Sequence, residues 1–190
     1  MKTKDLINRY FRENFFIIPL HKNSKVPLEK KWNERPLTET EALNFIWNGF
    51  NIGIVGGDQS KGLVILDFDG RLHEGRISEN INRWRSLDTC IQFSPKGFHV
   101  FLRTNTDNEI VLMQKIEDFI KDHNLPNAHR TTLNPKHEEN TFDKKMSKKE
   151  HDSYFDSFRF TSMYVVASPS KVLGKSYWWL DDMKGDILII

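Results

Sequence analysis

A chain of 190 residues, 38% apolar and 28% charged, holds enough material for one soluble domain with a real core. No apolar run approaches the ~18 residues that would span a bilayer, and the amino terminus, MKTKDLINRY, lacks the apolar stretch of a secretory signal, so a membrane helix is excluded and a cytoplasmic location is expected. The single cysteine, Cys90, excludes an internal disulfide and a cysteine-rich zinc site, and a net charge of only +2 requires any nucleic-acid binding to come from local clusters.

Residues 3–14, TKDLINRYFREN, place Leu6, Ile7, Tyr10 and Phe11 at helical spacing, and residues 15–20, FFIIPL, read as a buried strand. A proline-punctuated loop follows, HKNSKVPLEKKWNERP. Its lysines around Trp32 suit either a solvated loop or a grip on phosphates, with Lys25 as the candidate contact to a template strand. Thr38 and Glu41 have the spacing of a capping box, and Ala42, Leu43, Phe45, Ile46 and Trp47 supply the apolar face of the next helix, which Gly49 ends. NIGIV, residues 51–55, is a second buried strand, and Gly56-Gly57-Asp58 turns the chain toward the third.

That third stretch, GLVILDFDGR at residues 62–71, carries the most chemistry. Four apolar residues run into Asp67, Phe68 and Asp69, so a buried strand reaches the surface at its carboxyl end. Alternation puts Asp67 and Asp69 on one face and turns Phe68 toward the core. Two carboxylates about 6–7 Å apart along a strand repel each other unless a cation sits between them, and Mg2+ or Mn2+ suits that role. A solvated turn is the plainer reading of the same residues. A phosphatase that attacks phosphate through its first Asp has a similar strand end, but such motifs carry Thr or Val after the glycine, where this chain has Arg71.

Residues 76–87 have a helical stripe of Ile77, Ile81, Trp84 and Leu87, with Arg83 and Arg85 outside it as candidates for template phosphates. Residues 89–93 and 97–103 form a β-hairpin with a basic tip, Ser94-Pro95-Lys96-Gly97. His99 shares a face with Phe101, and it gains chemical meaning only if its strand lies beside that of Asp67. Residues 108–123 predict an amphipathic helix through Ile110, Val111, Met113, Ile116, Phe119 and Ile120. A polar insertion follows at about 124–153, whose histidines match no zinc spacing. Residues 154–160 and 163–167 read as two antiparallel strands joined through Thr161-Ser162, with Asp156 at their start. Ser168-Pro169-Ser170-Lys171 then closes a strand end with two hydroxyls and an ammonium able to meet phosphate or sugar oxygens. Tyr177, Trp178, Trp179 and Leu180 supply a last packing strand, and the apolar end predicts that the chain is the N-terminal part of a longer protein.

Taken together, FFIIPL followed by SKVPL and Trp32, NIGIVGG, GLVILDFDG, SPKGFHVFLR, and YVVASPS followed by YWWL resemble the archaeo-eukaryotic primase superfamily. The closer likeness is to the bifunctional primase-polymerase domains of plasmid and viral replication proteins, and it spans most of the chain. The resemblance implies an α+β fold with a mixed or antiparallel central sheet and flanking helices. It implies a single catalytic domain over residues 1–190, acting as a DNA primase and polymerase on single-stranded DNA with (d)NTPs and two Mg2+ or Mn2+ ions, and it admits a helicase domain or protein as a partner. In that family the acids of the DxD bind metal, a role that carries to Asp67 and Asp69, and the strand histidine that contacts nucleotide phosphates matches His99. Lys96, Gly97, Ser168, Ser170 and Lys171 join it as expected nucleotide contacts. A third metal carboxylate normally stands seven residues before the tyrosine of the YVV strand. Here that position is Ser157, with Asp156 one residue earlier; a strand bulge would let Asp156 complete the metal set, and without one the alternative is a non-catalytic DNA- or nucleotide-binding module.

Overall fold

The computed structural model describes residues 1–68, 77–125, 157–159 and 163–190. Leu6, Ile7 and Tyr10 recur on one side of α1 (Thr3–Arg12) and are buried, so the helix lies on the core along that stripe. β1 (Phe16–Leu20) follows and pairs antiparallel with β2 (Asn51–Val55), Ile18 opposite Gly53. Pro19 can donate no ladder hydrogen bond, and β1 is accordingly an edge strand. Between them α2 (Glu39–Trp47) starts on the Thr38–Glu41 capping box, as its spacing predicts. Trp47 is an exception to the expected apolar face, for it is 66% exposed while Ala42 and Leu43 are buried.

β3 (Leu63–Phe68) follows Gly62, whose φ of +74° and closeness to the Thr104 carbonyl leave no room for a Cβ. It lies in a larger sheet with α3 (Ile77–Arg85), β4 (Cys90–Phe93), β5 (Phe98–Arg103) and α4 (Glu109–Asp122) following in the chain. The strand order is β10 (Trp178–Trp179), β4, β5, β3, β6 (Ser157–Arg159), and β11 (Leu188–Ile189) adds a parallel pairing to the far end of β5. β7 (Tyr164–Ala167) joins β1 and β2 in a separate three-stranded sheet, and β8 (Lys171–Val172) with β9 (Lys175–Ser176) makes a short hairpin. The fold is α+β with mainly antiparallel sheets and four α-helices among the described residues. No helix among them is long and apolar enough to cross a membrane.

Two expectations are corrected. β6 and β7 do not pair with each other, because β6 completes the free edge of β3 and β7 the free edge of β2, in different sheets. The expected YWWL strand is only Trp178–Trp179, since Leu180–Met183 turns in a 3-10 helix. The greater part of the polar insertion, residues 126–153, lies outside the described residues.

The large sheet is buried on both faces. Leu63, Ile65, Cys90 and Phe101 point into one cluster with α1, α2 and the smaller sheet. Val64, Leu66, Phe68, Ile91, Phe98, Val100 and Leu102 point into another, covered by Trp84 of α3 and by Leu112, Ile116 and Ile120 of α4. Each such buried side chain stabilises the fold by about 1.5–3 kcal/mol relative to exposure. The unbroken apolar run of β3 thus reflects a sheet with no wet face.

Candidate active site

Asp67 interrupts the apolar row of β3 on the face that looks toward the smaller sheet, in line with Leu63 and Ile65. Pairing of β3 with β5 sets His99 opposite Asp67, and pairing of β3 with β6 sets Ser157 opposite it on the other side. Directly opposed antiparallel residues share a face with Cβ atoms about 4.5–5.5 Å apart. Asp67 and His99 are 6% and 5% exposed, and His99 Nε2 stands 3.4 Å from Asp67 Oδ1. Phe68, one residue on, points the other way and stacks on Phe98 with ring centres 4.4 Å apart, as alternation requires.

β4 and β5 form the expected hairpin. Ser94 N donates to the Gly97 carbonyl, and Ser94 Oγ accepts from the backbone N–H groups of Gly97 and Lys96, which holds the tip closed. Lys96 is exposed on that tip, at the same end of the sheet as Asp67. Behind His99 lies a residue that sequence reasoning did not single out. Gln92 is wholly buried, sits opposite His99 in the β4–β5 register, and places its Nε2 3.0 Å from His99 Nδ1. The same amide nitrogen donates to the Val166 carbonyl at 2.9 Å, and Gln92 Oε1 accepts from the Ser168 N–H at 2.8 Å, so one side chain ties the two sheets together. Its signal was available, because closing the hairpin at Ser94–Gly97 registers Phe93 with Phe98 and therefore Gln92 with His99.

Ser168 joins this site through its backbone N–H, and its carbonyl accepts from the Tyr10 hydroxyl at 2.7 Å. The Tyr10 hydroxyl also accepts from Trp179 Nε1, and burial pushes its ionisation far above the usual tyrosine range. Ser170 and Lys171 belong to a different place. The Ser170 hydroxyl accepts from Ile52 N and donates to the Ile52 carbonyl. Lys171 is exposed beside a cavity of about 470 Å3 lined also by Lys22, Asn23, Phe50 and Asn51, with none of Asp67, Lys96 or His99 in its wall. Asn51, likewise unanticipated, clamps that corner by donating to the Ser24 and Lys171 carbonyls and accepting from Lys171 N.

Lys25 is exposed on the loop after β1, its carbonyl accepting from the Tyr164 hydroxyl. Arg83 and Arg85 are exposed on α3, which covers the sheet face opposite Asp67 and His99; Arg85 pairs with Asp181 at 2.8 Å. Asp69 and Asp156 lie outside the described residues. Among the described residues no three His, Cys, Asp or Glu side chains gather as a metal-binding group. The family model described as Prim-Pol, bifunctional DNA primase/polymerase, N-terminal, matches residues 7–188. A search of curated proteins returns no match.

Proposed function

The chain belongs to the Prim-Pol family of bifunctional DNA primase/polymerase N-terminal domains, which implies nucleotidyl transfer with DNA and nucleotides as substrates, and from that premise we propose that it makes and extends primers on single-stranded DNA from (d)NTPs during plasmid or viral replication. The observation that supports this most is the buried cross-strand pair of Asp67 and His99 at the sheet end that also carries the basic hairpin tip.

Mg2+ and Mn2+ take oxygen ligands, and a carboxylate at a strand terminus, as Asp67 is, fits them. Asp67 and Asp69 would hold two such ions, with Asp156 completing the set. When bound, the ions activate the primer 3′-hydroxyl and stabilise the departing pyrophosphate. His99 then orients a triphosphate oxygen by a hydrogen bond, Lys96 neutralises phosphate charge, and the closed turn at Gly97 lets the backbone come near. Ser168 supports this place from behind. Lys171, beside Ser170, offers an ammonium to nucleotide or template phosphates from the neighbouring cavity, and Lys25, Arg83 and Arg85 are weaker template contacts.

The test incubates the protein with single-stranded DNA, Mg2+ or Mn2+ and labelled nucleotides, with and without a primer. Asp67→Ala and Asp156→Ala should each lower extension by at least on the order of a hundredfold, since direct ligands matter more than the outer groups that cost 10–100-fold. An Asp67→Ala protein that still polymerised would sink the assignment. A second reading rests on the Ser157 register, which sets a serine opposite Asp67. It makes the domain a non-catalytic DNA- or nucleotide-binding module, and it predicts DNA binding with no product from the unaltered chain.

A further inference from the structure

The geometry points to Gln92 as a positioning residue that holds the His99 ring in a single tautomer, with the proton on Nε2 and aimed at the Asp67 side of the site. A backbone N–H can only donate, so the Ser168 N–H facing Gln92 at 2.8 Å identifies that end of the amide as Oε1. The other end is therefore the NH2, and one of its hydrogens goes to the Val166 carbonyl at 2.9 Å, which can only accept. Its second hydrogen faces His99 Nδ1 at 3.0 Å, so Nδ1 must offer a lone pair. In the neutral ring the proton then resides on Nε2, the nitrogen 3.4 Å from Asp67 Oδ1.

Burial gives this arrangement its force. Gln92 is 0% exposed and His99 5%, so no water stands ready to replace a misdirected hydrogen bond, and a buried donor left facing a donor is costly. The Val166 carbonyl within β7 and the Ser168 N–H just after it thus decide, through one amide, which hydrogen-bonding face the imidazole turns to an incoming anion. Resting on the primase-polymerase reading, the inference assigns His99 as an Nε2–H donor to a triphosphate oxygen and makes Gln92 the residue that keeps it so.

The experiment uses the full chain with 15N-labelled histidine and reads the His99 tautomer from long-range 1H–15N spectra, a His99→Asn variant identifying its signals among those of the seven histidines. Gln92→Glu keeps the shape and the acceptor for Ser168 N–H but reverses polarity toward Nδ1. Gln92→Met keeps length and removes the amide. The unaltered protein should show the proton on Nε2; Gln92→Glu should place a proton on Nδ1, and Gln92→Met should give a mixture. In primer extension both should raise KM for the nucleotide on the order of tenfold with a smaller change in kcat, the signature of lost uniform binding. Should the buried carboxylate prevent folding, Gln92→Met decides. A proton on Nδ1 in the unaltered protein, a spectrum that neither variant changes, or an unchanged KM overturns the inference. If the unaltered chain makes no product, it is the polymerase reading that fails, and the spectra still decide the tautomer.

Discussion

Burial pushes the Cys90 thiol from its ordinary 9.0 up to about 12, and its Sγ–H donates to the Gly185 carbonyl at 2.9 Å. The thiolate, the reactive form, is thereby about a thousandfold scarcer at neutral pH than in an exposed cysteine. Native protein at neutral pH should resist alkylation by iodoacetamide, and urea-unfolded protein should react like a free thiol; equal rates would show that Cys90 is open to solvent. The sign for stability follows, since the folded value lies above the unfolded one. The contribution is complete below about pH 9 and is lost as pH rises toward about 12. Cys90 stands in the strand that the sequence predicts over residues 89–93, and it packs into the buried cluster on one face of the large sheet. Its neighbour on the same strand face, Gln92, drew no notice, because a glutamine in isolation has no functional signature and acquires one only from the His99 beside it.

Among the helices, α2 owes its start to a reciprocal cap. Glu41 N donates to Thr38 Oγ1 at 3.3 Å, while Thr38 N donates to Glu41 Oε2 at 2.8 Å. That backbone donor first, then Arg35 and the Thr38 hydroxyl, hold the Glu41 carboxyl down at about 2. Thr38→Ala should destabilise the protein by about 1 kcal/mol, measured as a lower urea midpoint at neutral pH. The Glu41 value is depressed, so its contribution is present above the ordinary 4.5 and fades as pH falls from there toward 2. The stability difference between the unaltered protein and Glu41→Gln should shrink over that interval; a difference independent of pH would refute the cap's ionic part. The cap was legible because its signal is local. The buried face of α4 was less so: Ile110 is 73% exposed and Val111 44%, while Leu112, Ile116 and Ile120 face the sheet. Apolar residues stand on both sides of this helix, and only the sheet it packs on chooses between them.

Across the molecule, Phe101 is where distant parts of the chain meet. Its ring lies 6.1 Å from that of Phe15, near the start of the chain, and 4.7 Å from that of Trp179, near its end. It is wholly buried in β5, the strand that pairs with β3, β4 and β11. Phe101→Ala should cost about 3–5 kcal/mol, and with one continuous sheet joining both apolar clusters the loss should appear as a shifted single unfolding transition. A local loosening at the chain ends with an unchanged main transition would show that the clusters are independent.

The sequence by itself determined the four helices and the strands β1 to β5 and β7, the cap of α2, the hairpin tip at Ser94–Gly97 and the place of Asp67 at a strand end, all features written in periodicity or in a few adjacent residues. Only the tertiary structure decided that β5 lies beside β3, that β6 and β7 part into separate sheets, that the Ser170 hydroxyl is taken by Ile52, and that Arg83 and Arg85 stand on the other side of the sheet from His99. The reason is that alternation tells which face of a strand a side chain occupies but not which strand lies next to it. Neighbours are chosen by pairing between residues far apart in sequence, as where Ser157 meets Asp67, and no local pattern encodes that choice.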